Sequence, residues 1–267
     1  MHFFQGCTAL ITGASSGLGA EFARQLAPHA ACLLLVARRS DRLEELQSQL
    51  ARPGLTIRVF TADLAQESEI EDFLRALGAS GEKVTLLINN AGVGDHGRLE
   101  DSEWPRIRAM LYVNINALTR LTHALLPELV RARRGAILNV SSIASLMPMP
   151  KMAVYAATKA YVTSFSEGIR AETRGTGVSV TAVCPGPVDT EFFNVAERAS
   201  PSDTMSTPAF FKVPAEEVVR AALTAVARDR ARVIPGLQVA VIMALVSLIP
   251  IFFLRLFIAQ PRAERSE

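Results

Sequence analysis

Tyr155 and Lys159 stand four residues apart in the run Tyr155-Ala156-Ala157-Thr158-Lys159, and Ser142 lies thirteen residues upstream. On a helix, positions i and i+4 share a face, so the phenol and the ammonium can lie side by side. A cation beside a phenol favours the phenolate and pulls the tyrosine pKa toward working pH. Tyr155 is thereby a candidate general acid/base, and Ser142 a donor to an oxygen on which charge develops. Taken alone, a Tyr-x-x-x-Lys spacing is a common surface pair on helices, so the weight falls on what else the chain supplies.

Short apolar runs must hold these residues. Cys7–Thr12, Cys32–Ala37, Thr56–Thr61, Val84–Asn89, Gly135–Val140, Val178–Val183 and Ala231–Ile234 are rich in leucine and β-branched residues without clear alternation. That pattern predicts strands buried on both faces. Helices are expected over Gly17–Leu26, Asp41–Leu50, Glu67–Ala79 and Val154–Arg174, with a further long one over about Glu103–Val130. Repeated β-α-β units imply an α/β fold, a Rossmann-like doubly wound parallel sheet of seven strands with helices on both faces. One long irregular stretch, Asn194–Lys212, carries Pro201 and Pro208. A loop of that length in a compact domain is usually functional.

The first strand ends in Thr12-Gly13-Ala14-Ser15-Ser16-Gly17-Leu18-Gly19, and a helix follows. Glycines there let the backbone approach a pyrophosphate, and the helix start offers free N–H groups and positive dipole. Further short motifs come in order along the chain: Asn89-Asn90-Ala91-Gly92 after the fourth strand, Asn114 in the helix beyond it, and Asn139-Val140-Ser141-Ser142 at the end of the fifth. Pro185-Gly186-Pro187-Val188-Asp189-Thr190 follows the sixth strand.

With Tyr155 and Lys159, this set resembles the short-chain dehydrogenase/reductase superfamily in its single-domain branch, over roughly Gly6 to Ile234. The resemblance implies an oxidoreductase that interconverts a carbonyl and a secondary alcohol. Tyr155 would exchange the proton, Ser142 orient the substrate oxygen, Lys159 lower the tyrosine pKa and bind the nicotinamide ribose, and Asn114 hold a water leading to Lys159. Gly13, Ser15, Ser16, Gly17, Leu18 and Gly19 would take the pyrophosphate end. Asp63 would meet the adenine edge, and Asn90, Ala91 and Gly92 line the adenosine side. Val188 and Thr190 would contact the carboxamide, with Leu64, Pro185 and Gly186 also among the cofactor-binding residues. No metal is implied. On this reading residues 1–236 form one domain with a substrate-binding loop at 187–212, and 237–267 are an apolar extension. Relatives also imply a homodimer or homotetramer.

Charge argues the choice of cofactor. Where NAD-preferring dinucleotide folds carry an acid at the end of the second strand, this chain reads Ala37-Arg38-Arg39. A guanidinium binds a phosphate bidentately, whereas an acid would repel it. NADP(H) is therefore expected, with Arg38 the main contact, Arg39 beside it and Ser15 assisting.

Leu237 to Leu254 is eighteen almost wholly apolar residues, interrupted by Pro250 and closed by Arg255, with Arg262 and Arg265 beyond. That is the lower edge of a spanning length. Three readings stand open for 237–258: a lid or subunit interface, a helix lying in a membrane surface, or a span. Similar tails occur among bacterial relatives of undefined specificity and, more distantly, among reductases of steroids and 3-ketoacyl chains. A lipophilic substrate is expected, with Met147 to Met152, Phe192, Phe193, Phe210 and Phe211 as an apolar rim.

Composition narrows the alternatives. The 267 residues suit one large α/β domain or two small ones. A net charge of +2 without an Arg/Lys cluster interleaved with aromatics argues against nucleic acid. Cys7, Cys32 and Cys184 have neither CxxC spacing nor histidine neighbours, which suggests buried free thiols rather than a zinc site. Met1-His2-Phe3-Phe4-Gln5 lacks the basic start of a signal peptide, so a cytoplasmic protein is expected, with membrane association through the tail left open. The rival reading is a catalytically idle nucleotide-binding sensor or scaffold at a membrane. The complete Asn114, Ser142, Tyr155 and Lys159 set argues against it, since a scaffold has no use for all four.

Overall fold

A computed structural model of the protein describes residues 2–192 and 212–258. Seven strands form one parallel sheet: β1 (Thr8–Thr12), β2 (Cys32–Ala37), β3 (Thr56–Thr61), β4 (Leu86–Asn89), β5 (Gly135–Val140), β6 (Val178–Val183) and β7 (Arg232–Val233). Their order is β3-β2-β1-β4-β5-β6-β7. The chain winds outward from β1 in one direction and then, from β4, in the other. The crevice outside the carboxyl ends of β1 and β4 is thus the switch point where such sheets bind ligands.

Alternate residues of each inner strand serve opposite faces. Ala9, Ile11, Leu33, Leu35, Leu86 and Ile88 join one core with α1 (Gly17–Leu26), α2 (Ser40–Leu50) and α7 (Ala215–Ala227). Leu10, Leu34, Val36, Leu87 and Ile137 join the other, with α3 (Glu67–Ala79) and α5 (Leu118–Ala132). Side chains point up and down in turn, so a strand covered on both sides must be apolar throughout. The outer strands depart from the expectation of two buried faces. β3 leaves Thr56, Arg58 and Thr61 exposed, because it ends the sheet. Its Arg58 pairs with Glu82 at 2.9 Å.

The long helix expected over Glu103–Val130 is not continuous. It runs as α4 (Trp104–Leu111), a π-helical turn (Tyr112–Ala117) and then α5. Asn114 sits inside the widened turn. Its amide donates to the Val93 carbonyl and to Thr158 Oγ1, both at 3.0 Å, while its oxygen accepts from the Val93 N–H at 2.9 Å. Side-chain bonds of this kind, made outside the helix, accompany the loss of regular i to i+4 pairing. α6 (Ala153–Glu172) then packs over β5 and β6.

The apolar tail also breaks, at Pro250, into α8 (Leu237–Leu248) and α9 (Ile251–Ile258). Among the described residues no helix is long and apolar enough to cross a membrane. α8 buries Val239 and Met243 in the core that α7 shares, and it leaves Leu237, Val241, Leu245 and Leu248 exposed. In α9, Phe252 and Phe253 are exposed.

Candidate active site

Loops leaving the carboxyl ends of β1 to β6 and one face of α8 line a cavity of about 680 Å³. Its β1 side is the glycine-rich turn. Gly13 (φ 66°) and Gly17 (φ 53°) adopt left-handed backbone, which a β-carbon disfavours. Space excludes one as well: a Cβ on Gly13 would lie 2.9 Å from the Ala91 Cα, and one on Gly19 only 2.1 Å from the Gly13 carbonyl oxygen. The turn is tied to the β4 loop. Thr12 Oγ1 accepts from the N–H groups of Asn90 and Ala91, each at 3.0 Å, and the Asn90 amide donates to the Thr12 carbonyl at 2.8 Å. Gly17 and Leu18 line the cavity at the start of α1, where the first N–H groups have no carbonyl within the helix. A cradle too tight for side chains and edged by free N–H groups fits a pyrophosphate.

The arginines divide their tasks. Arg38 is exposed at the mouth of the cavity. Arg39 turns onto the glycine-rich turn, with Nη2 donating to Ser16 Oγ at 2.8 Å and to Ser15 Oγ at 3.2 Å. Its Nη1 meets the Glu191 carboxylate at 3.1 Å. At the end of β3, Asp63 Oδ1 accepts from the Ala65 N–H at 3.0 Å, and the Asp63 N–H donates to Glu69 at 2.7 Å, so this loop is held on both sides. Leu64, Pro185, Gly186, Val188 and Thr190 also line the cavity. Gly19 and Asn114 do not. Gly19 acts by close packing and Asn114 through its neighbours.

At the far end lie Ser142, Tyr155 and Lys159. Ser142 follows β5, and its Oγ accepts from the Ala144 N–H at 3.1 Å, which fixes the hydroxyl at the start of a short 3-10 turn (Ile143–Leu146). Lys159 is buried and donates to the Val140 carbonyl at 2.8 Å. A Cβ on Gly92 would lie 3.3 Å from Lys159 Nζ and 3.4 Å from Asn114 Oδ1, so the lysine and the asparagine converge on that glycine. Beneath them, Ser141 Oγ donates to the Lys159 carbonyl at 2.9 Å.

Burial dominates the electrostatics of the tyrosine–lysine pair. Burial pushes the phenol up to about 12, against a lowering hydrogen bond from Ser142. Lys159 Nζ lies 5.8 Å from the Tyr155 ring centroid and spends its hydrogen bond on Val140 instead. The lysine itself is pulled down to about 8 by burial. Both shifts have the sign that removal from water gives, favouring the neutral form of each group.

Sequence reasoning placed the rim only in part. Met147, Met149, Met152 and Phe192 line the cavity, and Phe192 lies 5.7 Å from Tyr155 between ring centroids. Within the same stretch, Pro148 and Pro150 are exposed and stand outside the lining. Phe193, Phe210 and Phe211 fall outside the described residues, as does Asn194–Phe211 of the irregular stretch. Ile242, Met243 and Val246 of α8 join the lining, in keeping with the lid reading of the tail, although no residue of the tail was singled out in advance. An apolar run equally hydrophobic on every side gives no period from which an inward face could be read.

Because Lys159 has a folded-state pKa below its unfolded one, its burial costs stability fully below about pH 8. As pH rises from 8 toward 10.5 the folded form loses its proton first and the cost is relieved. Urea unfolding of Lys159→Met should therefore show its largest stability advantage over wild type near pH 7, shrinking by on the order of 3 kcal/mol by pH 10.5. A difference independent of pH would contradict the assigned burial cost.

Known proteins agree with this geometry. The sequence model of the short chain dehydrogenase family matches residues 7–200. Sulfoacetaldehyde reductase 2 of Chromohalobacter salexigens is 38% identical over 187 residues, 68% of this chain and 73% of that protein. Among solved structures, a short-chain dehydrogenase from Sphingobium yanoikuyae in complex with NADPH is 31% identical, covers 98% of this chain and 99% of its own, and superposes with a TM-score of 0.80. The bulky-bulky ketone specific alcohol dehydrogenase from Comamonas testosteroni is 30% identical over 97% of both chains, with a TM-score of 0.75. With the parallel sheet, the glycine cradle and the buried tyrosine–lysine pair already in place, the match settles the affiliation: this chain belongs to the short-chain dehydrogenase family and is an oxidoreductase acting between alcohol and carbonyl.

Proposed function

We propose that the protein is an NADP(H)-dependent carbonyl reductase or alcohol dehydrogenase for a bulky lipophilic substrate. The observation that carries the reading is the meeting, on one cavity wall, of Ser142, Tyr155 and Lys159 with a glycine cradle at the other end. The nicotinamide, when bound, supplies the hydride. The chain's own residues handle the oxygen. Tyr155, held as a neutral phenol by burial, donates its proton to the carbonyl oxygen in reduction and recovers it from the alcohol in oxidation. Ser142 hydrogen-bonds the same oxygen. Lys159 places a positive charge behind the phenol and favours the phenolate left after transfer. Asn114 acts at one remove, positioning the Val93 loop and Thr158 and standing where a water can reach Lys159.

The substrate reading rests on the lining. Met147, Met149 and Met152, Phe192, and Ile242, Met243 and Val246 of α8 give the tyrosine end an apolar, pliable wall. We read residues 1–236 as the catalytic domain and 237–267 as an extension whose α8 closes the substrate end. The outer face of α8 and α9, with Leu245, Leu248, Phe252 and Phe253 exposed and Arg255 beyond, is suited to lie in a membrane surface. The long helices α4, α5 and α6 are the proposed interface of a homodimer or homotetramer, by analogy with relatives.

Tyr155→Phe should lower turnover by about a hundredfold to ten-thousandfold while cofactor binding, read by quenching of intrinsic fluorescence, stays near wild type. Turnover within a few-fold of wild type would remove Tyr155 from the mechanism. In a ketone panel followed by nicotinamide absorbance, bulky aromatic and alicyclic ketones with NADPH should show the highest kcat/KM, well above the same ketones with NADH. Preference for NADH, or activity confined to small polar carbonyls such as sulfoacetaldehyde, would overturn the corresponding half of the reading. Flotation with anionic phospholipid vesicles should carry wild type upward and leave Leu245→Glu/Phe252→Glu behind. Equal recovery would remove the membrane contact. Light scattering on the same preparation reads the subunit number, and a monomer would exclude the helix interface.

A further inference from the structure

Glu191 belongs to the segment after β6, yet its carboxylate reaches the arginines that follow β2. Oε2 lies 3.1 Å from Arg39 Nη1, and Oε1 and Oε2 lie 2.7 and 2.9 Å from Arg42 Nη1. These two hydrogen-bonded arginines hold its carboxyl below the usual range, Arg42 more than Arg39. Arg39 keeps its other edge on Ser15 and Ser16 of the glycine-rich turn. Its guanidinium therefore bridges the two halves of the cavity mouth. The acid that an NAD-type site carries at the end of β2 is missing from this chain at Ala37–Arg39, and a carboxylate from the other side of the cleft stands against the same guanidinium.

Resting on the NADP(H) reading, we propose that Glu191 is a cofactor-discriminating residue that competes with the 2′-phosphate for Arg39 and Arg42. A guanidinium offers its donors in a fixed fork. Arg39 Nη1 cannot serve a carboxylate and a phosphate in one direction without bringing two anions together, which costs binding energy. NADP(H) must displace Glu191 or bind beside an uncompensated negative charge. NAD(H), ending in a 2′-hydroxyl, meets no such conflict. Displacement also has a mechanical consequence. Glu191 is bonded to Phe192, and Phe192 packs against Tyr155, so the phosphate end of the site is joined through two adjacent residues to the proton donor.

Isothermal titration of the full chain with NADP+ and with NAD+ tests this without turnover. Glu191→Gln keeps the shape and removes the charge. It should tighten NADP+ by roughly threefold to tenfold at low salt and leave NAD+ within about twofold, with the gain shrinking at 0.5 M salt as exposed charges are screened. Glu191→Ala should shift NADP+ in the same direction, and thermal melts of both variants guard against misfolding. If wild type prefers NADP+ and neither variant shifts the ratio, or Glu191→Gln weakens NADP+, the competition is overturned and Glu191 is at most a prop for the arginines. If wild type prefers NAD+ but the variants still move the ratio toward NADP+, the NADP(H) reading fails while the competition stands.

Discussion

A buried ammonium needs an acceptor, and much of this site follows from how Lys159 finds one. Its Nζ donates to the carbonyl of Val140, the last residue of β5. A charge held so far from water without a partner would cost several kcal/mol and would neutralise instead. The bond thus joins α6 to the carboxyl end of the sheet at the point where Ser141 and Ser142 emerge. Ser141 closes a second link by donating to the lysine carbonyl. Tyr155, one turn earlier on the helix, is carried into the same apolar setting and kept neutral. The bond that satisfies the buried lysine thus helps to set where Tyr155 sits, while the tyrosine's own burial keeps its phenol neutral.

The remaining parts can be understood as supports for that pair. The π-helical turn costs regular helix hydrogen bonds, but it places the Asn114 amide where it fastens the β4 loop and Thr158. The β4 loop in turn is clamped to the glycine-rich turn through Thr12 and Asn90. Hydrogen bonds and the short β4 loop between them therefore connect the glycine-rich turn to the helix that bears Tyr155. Such preorganisation matters because proton transfer is sensitive to sub-ångström placement.

The end of the cavity proposed to take substrate is built differently, from apolar side chains on α8 and the loop after β5 rather than from hydrogen bonds. Methionines and a helix that buries Val239 and Met243, with Val246 packed beside them, make an adaptable wall, whereas the other end is fixed by glycine geometry. The contrast suits a family that keeps one chemistry and varies what it acts upon.

Most of the architecture was legible in the sequence. Six of the seven strands, all but a shortened β4, and the helices α1, α2 and α3 fall within a residue of their apolar patterns, because burial on both faces and 3.6-residue periodicity leave marks in composition. Residue type and spacing also determined the glycine cradle, the tyrosine–lysine pair and the serine after β5. Where two elements distant in sequence meet, the sequence was silent. The Glu191–Arg39 contact spans 152 residues, the Asn114–Thr158 bond accompanies a π-helical turn in a helix that periodicity alone would continue, and the inward face of α8 is chosen by the core it packs on, not by its own pattern. Likewise the depth at which the fold buries Tyr155 and Lys159, which favours the neutral form of each, is not written in their spacing. Local chemistry is written in neighbours along the chain; desolvation and long-range pairing exist only once the chain has folded.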